Sequence, residues 1–157
     1  MCAAKARHPV LPRDTLLPRD TRRALPIALL KAREAVMARF RPILAAREVT
    51  EQQWRVIRVL GEESPLDASE AADRACVLAP SLTRIIKALE DRGLITRERD
   101  SADGRRISLA IAPAGLAMIR DLTPETQLVY AELETRYGHE RIERLLDMLG
   151  ELADLKD

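Results

Sequence analysis

The feature that most constrains the fold is a pair of helical patterns separated by a turn of three or four residues. Asp67-Ala-Ser-Glu70 resembles a capping box, in which a side chain at the helix start accepts from a backbone amide, and it predicts a short helix ending near Ala75. Pro80 then begins a second helix, whose apolar residues recur at i, i+3, i+4 and i+7 as Leu82, Ile85, Ile86 and Leu89. Two helices joined in this way are typical of a helix-turn-helix.

A hairpin pattern follows directly. Gly93 ends the second helix, and residues 94–99 and 106–110 predict two strands around the turn cluster at 101–104. A two-stranded hairpin is not stable alone, so it must pack against the helices as a wing. Aromatic residues make up only 3% of the chain, which favours an aliphatic, helical core. The predicted fold class is therefore mainly α with a small β-hairpin, a winged helix-turn-helix with additional helices.

Two helical patterns precede this motif. Pro26 begins the first, and a break or kink is expected near Arg41 because Pro42 follows it. Thr50-Glu-Gln-Gln53 is a capping box that begins the next helix, and Gly61 offers a stop.

Two further helical patterns follow the hairpin. A helix from Pro113 is expected to bury Leu116, Ile119 and Leu122 and to be kinked or interrupted at Pro124. The last helix begins after Gly138 and carries a wide apolar stripe: Ile142, Leu145, Leu146, Leu149, Leu152 and Leu155. A stripe of this width needs a second surface to cover it.

The net charge of +1 conceals a strong segregation of charge along the chain. Residues 74–106 carry eight basic and five acidic side chains, whereas residues 107–157 carry five basic and ten acidic ones. The basic segment coincides with the helix-turn-helix and the hairpin, which indicates a polyanion as the partner of this part of the chain.

On the second helix of the motif, the residues outside the apolar side are small near the N-terminus and basic further along. Such a face can approach the floor of the major groove, where Arg84 can donate two hydrogen bonds to guanine, and the hairpin arginines can reach the adjacent minor groove. The candidate DNA-binding residues are Pro80, Ser81, Thr83, Arg84, Lys87, Arg97, Arg99, Arg105 and Arg106. The alternatives are a face that is only solvated, or helices that grip a partner protein.

Other function classes find little support in the sequence. His8 and His139 lack partners at metal-ligand spacing, and there is neither a phosphate-binding glycine loop nor a nucleophile elbow, so neither an enzyme nor a cofactor is expected. No apolar run approaches the roughly 20 residues that span a membrane, and the N-terminus lacks the apolar region of a secretory signal. Two cysteines do not make a disulfide framework. We therefore expect a cytoplasmic protein that makes no membrane contact.

Several motifs resemble the MarR family of bacterial winged-helix regulators. They are Pro80-Ser-Leu-Thr-Arg84, Leu89-Glu-Asp-Arg-Gly-Leu-Ile95, Asp100-Ser-Ala-Asp-Gly-Arg105 and Pro113-Ala-Gly115. Within the family, four further segments resemble the homoprotocatechuate (4-hydroxyphenylacetate) degradation-operon repressors: residues 27–35, 40–42, 50–55 and 74–76. The resemblance covers nearly everything except the N-terminal arm.

The resemblance implies a homodimer that binds a palindromic operator in double-stranded DNA, with repression relieved by a small aromatic or phenolic acid. It also implies the roles of four segments: a flexible basic arm at 1–24, a dimerisation helix at 25–48, the winged helix-turn-helix at 49–112 and dimerisation helices at 113–157. The sequence departs from the family at Ala102, where the wing motif often has Arg, in a wing that is shorter after Arg105, and at Pro124.

An aromatic acid needs a cation for its carboxylate and a ring for stacking. Arginines and aromatic residues lie together on the two helices before the motif, and Trp54 and Arg58 share a helix face. The candidate ligand-binding residues are Arg33, Phe40, Arg41, Trp54 and Arg58. The alternative is that Trp54 belongs to the core and that the arginines pair locally, for example Arg58 with Glu62.

Cys76 lies in the turn before the second helix of the motif. A redox-sensing thiol would need a basic and accessible setting there, and Arg74 is close in sequence. We expect instead a small buried thiol, which is the usual state of a free cysteine.

Overall fold

The computed structural model describes residues 24–99 and 107–155, and the chain divides into two units after Ala38. Helix α1, Leu25–Ala45, begins in the first unit and ends in the second. The other described elements belong to the second unit: α2 (Glu51–Glu62), β1 (Leu66–Asp67), α3 (Ala68–Arg74), α4 (Ala79–Asp91), β2 (Ile95–Arg99), β3 (Ile107–Ile111), α5 (Pro113–Tyr137) and α6 (His139–Ala153). This mainly helical architecture with a small antiparallel sheet confirms the predicted fold class.

The helix starts follow the capping signals in the sequence. At α2 the Thr50 hydroxyl accepts from the Gln53 amide at 3.2 Å, and the Gln53 side chain accepts from the Thr50 amide at 3.0 Å. At α3 the Asp67 carboxylate accepts from the Ser69 amide at 2.8 Å, whereas Glu70 pairs with Arg74 instead of closing a second box. The capping box at Thr50 is therefore confirmed, and the one at Asp67 is only half formed.

Both internal prolines lie within continuous helices, so of the break or kink expected at Pro42 and at Pro124, the break is wrong. A proline removes one backbone donor, and the following turns can still form. Beyond Pro42, the Ala46 amide donates to the Pro42 carbonyl at 3.1 Å. Around Pro124, the hydroxyls of Thr123 and Thr126 donate to carbonyls one turn earlier, at 2.7 and 3.0 Å. Both helices therefore continue through their prolines, and α5 runs for 25 residues.

The sheet has three strands in the order β1-β3-β2, all antiparallel, rather than the two of the predicted hairpin. Strand β1 adds only two residues, of which Leu66 lies opposite Leu109. Both leucines are buried, so the third strand joins the wing to the helical core.

The core lies between α2, α3, α4 and the sheet. Its fully buried side chains include Val56, Ile57, Leu60, Leu89 and Leu109, and Trp54 packs against the cluster. On α5, Leu122 is buried and Ile119 packs against the core, as predicted, but Leu116 is 37% exposed, so its predicted burial is wrong. In this first turn of α5, the residue that packs closely against Leu94 and Ile111 is Gly115. Leu116 is the next residue along the helix and therefore points in a different direction.

Large apolar side chains remain exposed on the terminal helices. Helix α6 buries none of its residues, and Leu146 and Met148 are two of its exposed apolar side chains. Leu155, two residues beyond the end of the helix, is exposed as well. In the first unit, α1 exposes Leu25, Ile27, Leu29, Leu30 and Val36. None of the helices in the described ranges is both long and apolar enough to cross a membrane.

Candidate nucleic-acid interface

Helix α4 presents a mostly polar stripe to solvent because its large aliphatic residues lie on the other side. Ile85, Ile86 and Leu89 are buried, and Leu82 packs against the same core. The exposed residues recur at i, i+3, i+4 and i+7 as Pro80, Thr83, Arg84 and Lys87, with Ser81 half-buried beside them. We call these four exposed residues the α4 stripe; all four are among the candidate DNA-binding residues.

The cations of the α4 stripe have no neutralising partner among the residues that the structure describes. Within the described part of the chain, no carboxylate pairs with Arg84 or Lys87, and neither side chain donates a hydrogen bond. Arg74 on the preceding helix contrasts with them, because Glu63 and Glu70 each hold its guanidinium at 2.6 Å. Those hydrogen bonds raise the pKa of Arg74. The stripe therefore keeps its charge available for an external anion.

The N-terminal end of α4 offers fewer free amides than the sequence suggests. Pro80 has no N–H, and the amides of Ser81 and Leu82 both donate to the carbonyl of Leu78, at 2.9 and 3.2 Å. Leu78 is the N-cap residue and provides no side-chain cap. Among the first three residues of α4, only Ala79 has a backbone amide without an acceptor in the described part of the chain. Contacts to a phosphate must therefore come mainly from side chains.

Arg97 is the candidate wing arginine whose side chain the structure describes, and it lies against α4. Arg97 lies in β2 opposite Leu109, and its guanidinium is 3.5 Å from the carboxylate of Glu90 in α4. It remains 43% exposed, so it can still reach an external phosphate. Arg99 is the last residue of β2, whereas Arg105 and Arg106, like Ala102 and the wing tip, lie outside the described residues.

The candidate ligand residues at the end of α1 contact α2 and α5. Arg41 donates to Glu51 at 2.5 Å, which joins α1 to the first turn of α2. The ring of Phe40 is buried and packs against Tyr130 of α5, with ring centroids 5.3 Å apart. Tyr130 is itself exposed on its other side and was not identified from the sequence. The sequence has only four aromatic residues. Tyr130 could therefore have been included as a ligand-binding candidate simply because it is one of them.

The remaining ligand candidates fit the alternative in which Trp54 belongs to the core and the arginines pair with nearby carboxylates. Arg58 donates to Glu62 at 2.9 Å, and Trp54 packs against the core. Arg33 lies in the first unit, where it hydrogen-bonds to the adjacent Glu34 at 2.8 Å. Arg58 is still 46% exposed, so its pair with Glu62 is a surface pair that a stronger acceptor can displace.

A separate groove is formed by other residues of the second unit. It is an open groove of about 400 Å³ on the outer side of the sheet, lined by Ser64, Pro65, Thr96, Glu98, Ser108, Ala110 and Ile111. None of these residues is a ligand candidate, so the groove does not support the predicted ligand site. The described residues contain no cluster of His, Cys, Asp and Glu that would hold a metal ion.

Cys76 is exposed, so the prediction of a buried thiol is wrong. The residue has a φ of 49° in the turn between α3 and α4, and this left-handed turn places it outside the core. The adjacent Ala75 and Val77 are the residues of the turn that are buried.

A second cluster of charge joins the turn between α1 and α2 to α5. Arg47 donates to Glu125 at 2.6 Å and lies 3.5 Å from Asp121. The hydrogen bond that Arg47 donates to Glu125 raises the pKa of Arg47, which stays charged at any physiological pH. Arg92, just after α4, donates to the carbonyls of this turn.

The chain is similar to known proteins over most of its length. A family model described as MarR family matches residues 49–107. The chain is 42% identical over 131 residues to the HTH-type transcriptional regulator FarR of Neisseria gonorrhoeae, covering 83% of this chain and 90% of that protein. It is 37% identical over 132 residues to the homoprotocatechuate degradative operon repressor of Escherichia coli, covering 84% and 89%. The crystal structure of NadR in complex with 4-hydroxyphenylacetate superimposes with a TM-score of 0.78 at 38% identity, covering 90% of this chain and 100% of that one.

Proposed function

Because the chain belongs to the MarR family of transcriptional regulators, we propose that it is a homodimeric repressor that places α4 in the major groove of a palindromic operator. The observation that carries the proposal is the α4 stripe, in which two cations without a carboxylate partner among the described residues lie on one helix face opposite a buried apolar side. The relatives are regulators rather than enzymes, as the sequence predicts.

Homodimerisation is supported by the exposed apolar side chains of the terminal helices. A helix such as α6, which buries none of its residues in one chain, is stable when a second surface covers its apolar stripe. A second copy of the chain offers the same stripe, and twofold symmetry is the commonest arrangement of soluble oligomers. A dimer would present two α4 helices to half-sites roughly one helical turn apart.

The DNA-binding proposal is tested with a duplex from the protein's own promoter and a scrambled duplex of equal length. We expect much tighter binding to the promoter duplex, and log K should fall linearly with log salt concentration, by roughly 0.9 per neutralised phosphate. A helical protein-interaction module, the alternative from another class, would show no preference between the two duplexes. Equal affinity for both duplexes would contradict the proposal.

We further propose that a small phenolic acid relieves repression. The support is the relative NadR, which was crystallised with 4-hydroxyphenylacetate, and the arginines near Phe40 and Trp54 in this chain. Arg58 is the best-placed cation on α2, because it shares a face with Trp54 and is held only by an exposed pair with Glu62. Ligand binding would favour a spacing of the two α4 helices that no longer fits the operator.

Replacement of Arg58 by Ala is expected to weaken binding of 4-hydroxyphenylacetate by about 10- to 100-fold, because a hydrogen bond to a charged group is lost. Isothermal titration calorimetry on the full-length protein measures the change. Arg136→Ala is the matched control, since Arg136 is also exposed and paired to a Glu four residues away, on α5. The corresponding alcohol, which lacks the carboxylate, should bind the wild-type protein and the Arg58→Ala variant equally weakly. Unchanged affinity of the Arg58 variant for the acid would remove Arg58 from the site.

A thiol-based redox regulator is the second alternative. Cys76 is accessible, as such a regulator requires, but Arg74, its nearest cation in sequence, is already engaged by Glu63 and Glu70. The local cation is therefore not available to stabilise a thiolate, and the structure gives no specific support to this alternative.

A further inference from the structure

The C-terminal end of α4 is attached to a turn that is far away in sequence. Arg92 directly follows the last residue of α4, and its two terminal nitrogens donate to consecutive backbone carbonyls, Glu48 at 2.7 Å and Arg47 at 3.0 Å. These carbonyls belong to the α1–α2 turn, residues 46–49. Two parallel hydrogen bonds from one planar guanidinium fix orientation as well as distance.

The α1–α2 turn is itself a fixed piece of backbone. The amides of Arg47 and Val49 both donate to the Leu44 carbonyl, at 3.0 and 3.1 Å, and Glu48 has a φ of 54°. Leu44 and Val49 are buried on either side of the turn. A displacement of this turn must therefore be transmitted to whatever is bonded to it.

The same turn is bonded to α5. The Arg47 side chain donates to Glu125 at 2.6 Å and lies 3.5 Å from Asp121, two carboxylates that are one helical turn apart on α5. The contacts thus run from α5, through Arg47, to the α1–α2 turn, and from the carbonyls of that turn, through Arg92, to the end of α4. Neither arginine belongs to the α4 stripe.

We propose that Arg47 and Arg92 form a positioning relay that sets the orientation of the α4 stripe relative to α5, and with it the affinity for the operator. The inference rests on the proposed DNA-binding function. The core residues Ile85, Ile86 and Leu89 hold α4 in the fold without the relay. Because the Arg92 bonds are exposed and the Arg47 side chain is only partly buried, removal of either guanidinium changes the angle of the helix rather than its existence. Arg47 and Arg92 are positioning residues, and the bases are contacted by others.

The relay is tested by a double-mutant cycle on the full-length protein. Arg47→Ala and Arg92→Ala are each expected to weaken operator binding by about tenfold, and the double variant by little more than either single variant, because both break the same path. Arg92→Lys should behave like Arg92→Ala, since an ammonium cannot make the two parallel bonds. Glu125→Gln should reproduce part of the Arg47 effect, and the surface-paired Arg136→Ala is the control that should leave affinity unchanged.

A measurement without DNA separates the relay from the proposed function. The Arg47 side chain bonds to α5 and not to α4, yet its replacement should speed amide hydrogen exchange in residues 88–92, whereas Arg136→Ala should not. Additive losses, equal losses on operator and random duplex, or unchanged exchange in the Arg47 variant would each overturn the relay. A wild-type protein that does not distinguish its promoter from a scrambled duplex, but shows the exchange effect, would overturn the proposed function and leave the relay standing.

Discussion

Replacement of Arg84 by alanine is expected to weaken binding to the cognate operator by about 5- to 150-fold, which corresponds to about 1–3 kcal/mol for the loss of a bidentate contact to a base. Binding to a random duplex should change much less, because only one phosphate-directed charge is lost there. The structural basis is that Arg84 lies in the middle of the α4 stripe and has no carboxylate partner among the described residues. Fluorescence anisotropy with both duplexes at one salt concentration measures the two losses.

Two variants make this result interpretable. Arg84→Lys keeps the charge but not the planar pair of donors, so it should lose most of the specificity and little of the random-duplex affinity. Lys87→Ala, three residues further along the same face, should weaken both duplexes by a similar factor if Lys87 contacts phosphate. An equal loss on both duplexes for Arg84→Ala would show that Arg84 contacts only the backbone of the DNA, and base recognition would have to be assigned to other residues.

The part of the site that the sequence predicted depends on periodicity alone. The α4 stripe follows from apolar residues at Leu82, Ile85, Ile86 and Leu89, because a helix that buries these must expose the residues between them. The capping box at Thr50 was equally predictable, since all its partners lie within four residues. Local patterns of this kind need no knowledge of the rest of the fold.

The errors concern features that depend on distant partners. A break or kink was expected at each proline, but both helices continue, and each has a buried leucine close to its proline, Leu44 and Leu122. Strand β1 was not predicted, because a segment of two residues is too short to show an alternation of apolar and polar side chains. Its pairing with β3, in which Leu66 lies opposite Leu109, is what defines it as a strand. Arg47, Arg92 and Phe40 contact groups more than 40 residues away in sequence. Contacts of this kind depend on the tertiary fold and could not be predicted from local patterns.

The second large effect is expected on stability, at Gly115 in the first turn of α5. A Cβ built at this position would overlap the carbonyl oxygen of Leu94 and the terminal methyl of Ile111. The Leu94 carbonyl cannot move freely, because it accepts from the Ala112 amide at 3.0 Å at the junction of the sheet and α5. Gly115→Ala is therefore expected to lower the free energy of unfolding by about 3 kcal/mol, the upper part of the usual range for overpacking.

Gly61→Ala is the matched control for this substitution. A Cβ at Gly61 would also overlap a neighbour, but that neighbour is the terminal methyl of Ile119, the far end of a flexible side chain that can rotate away. The gain in helix propensity offsets part of the remaining cost, so the change in unfolding free energy should stay within about 1 kcal/mol. Urea unfolding of the two variants, with the slope m unchanged, decides between them. If both glycines tolerate alanine equally, the junction of β2, β3 and α5 is looser than these contacts indicate, and the wing is not held to α5 by close backbone packing at Gly115.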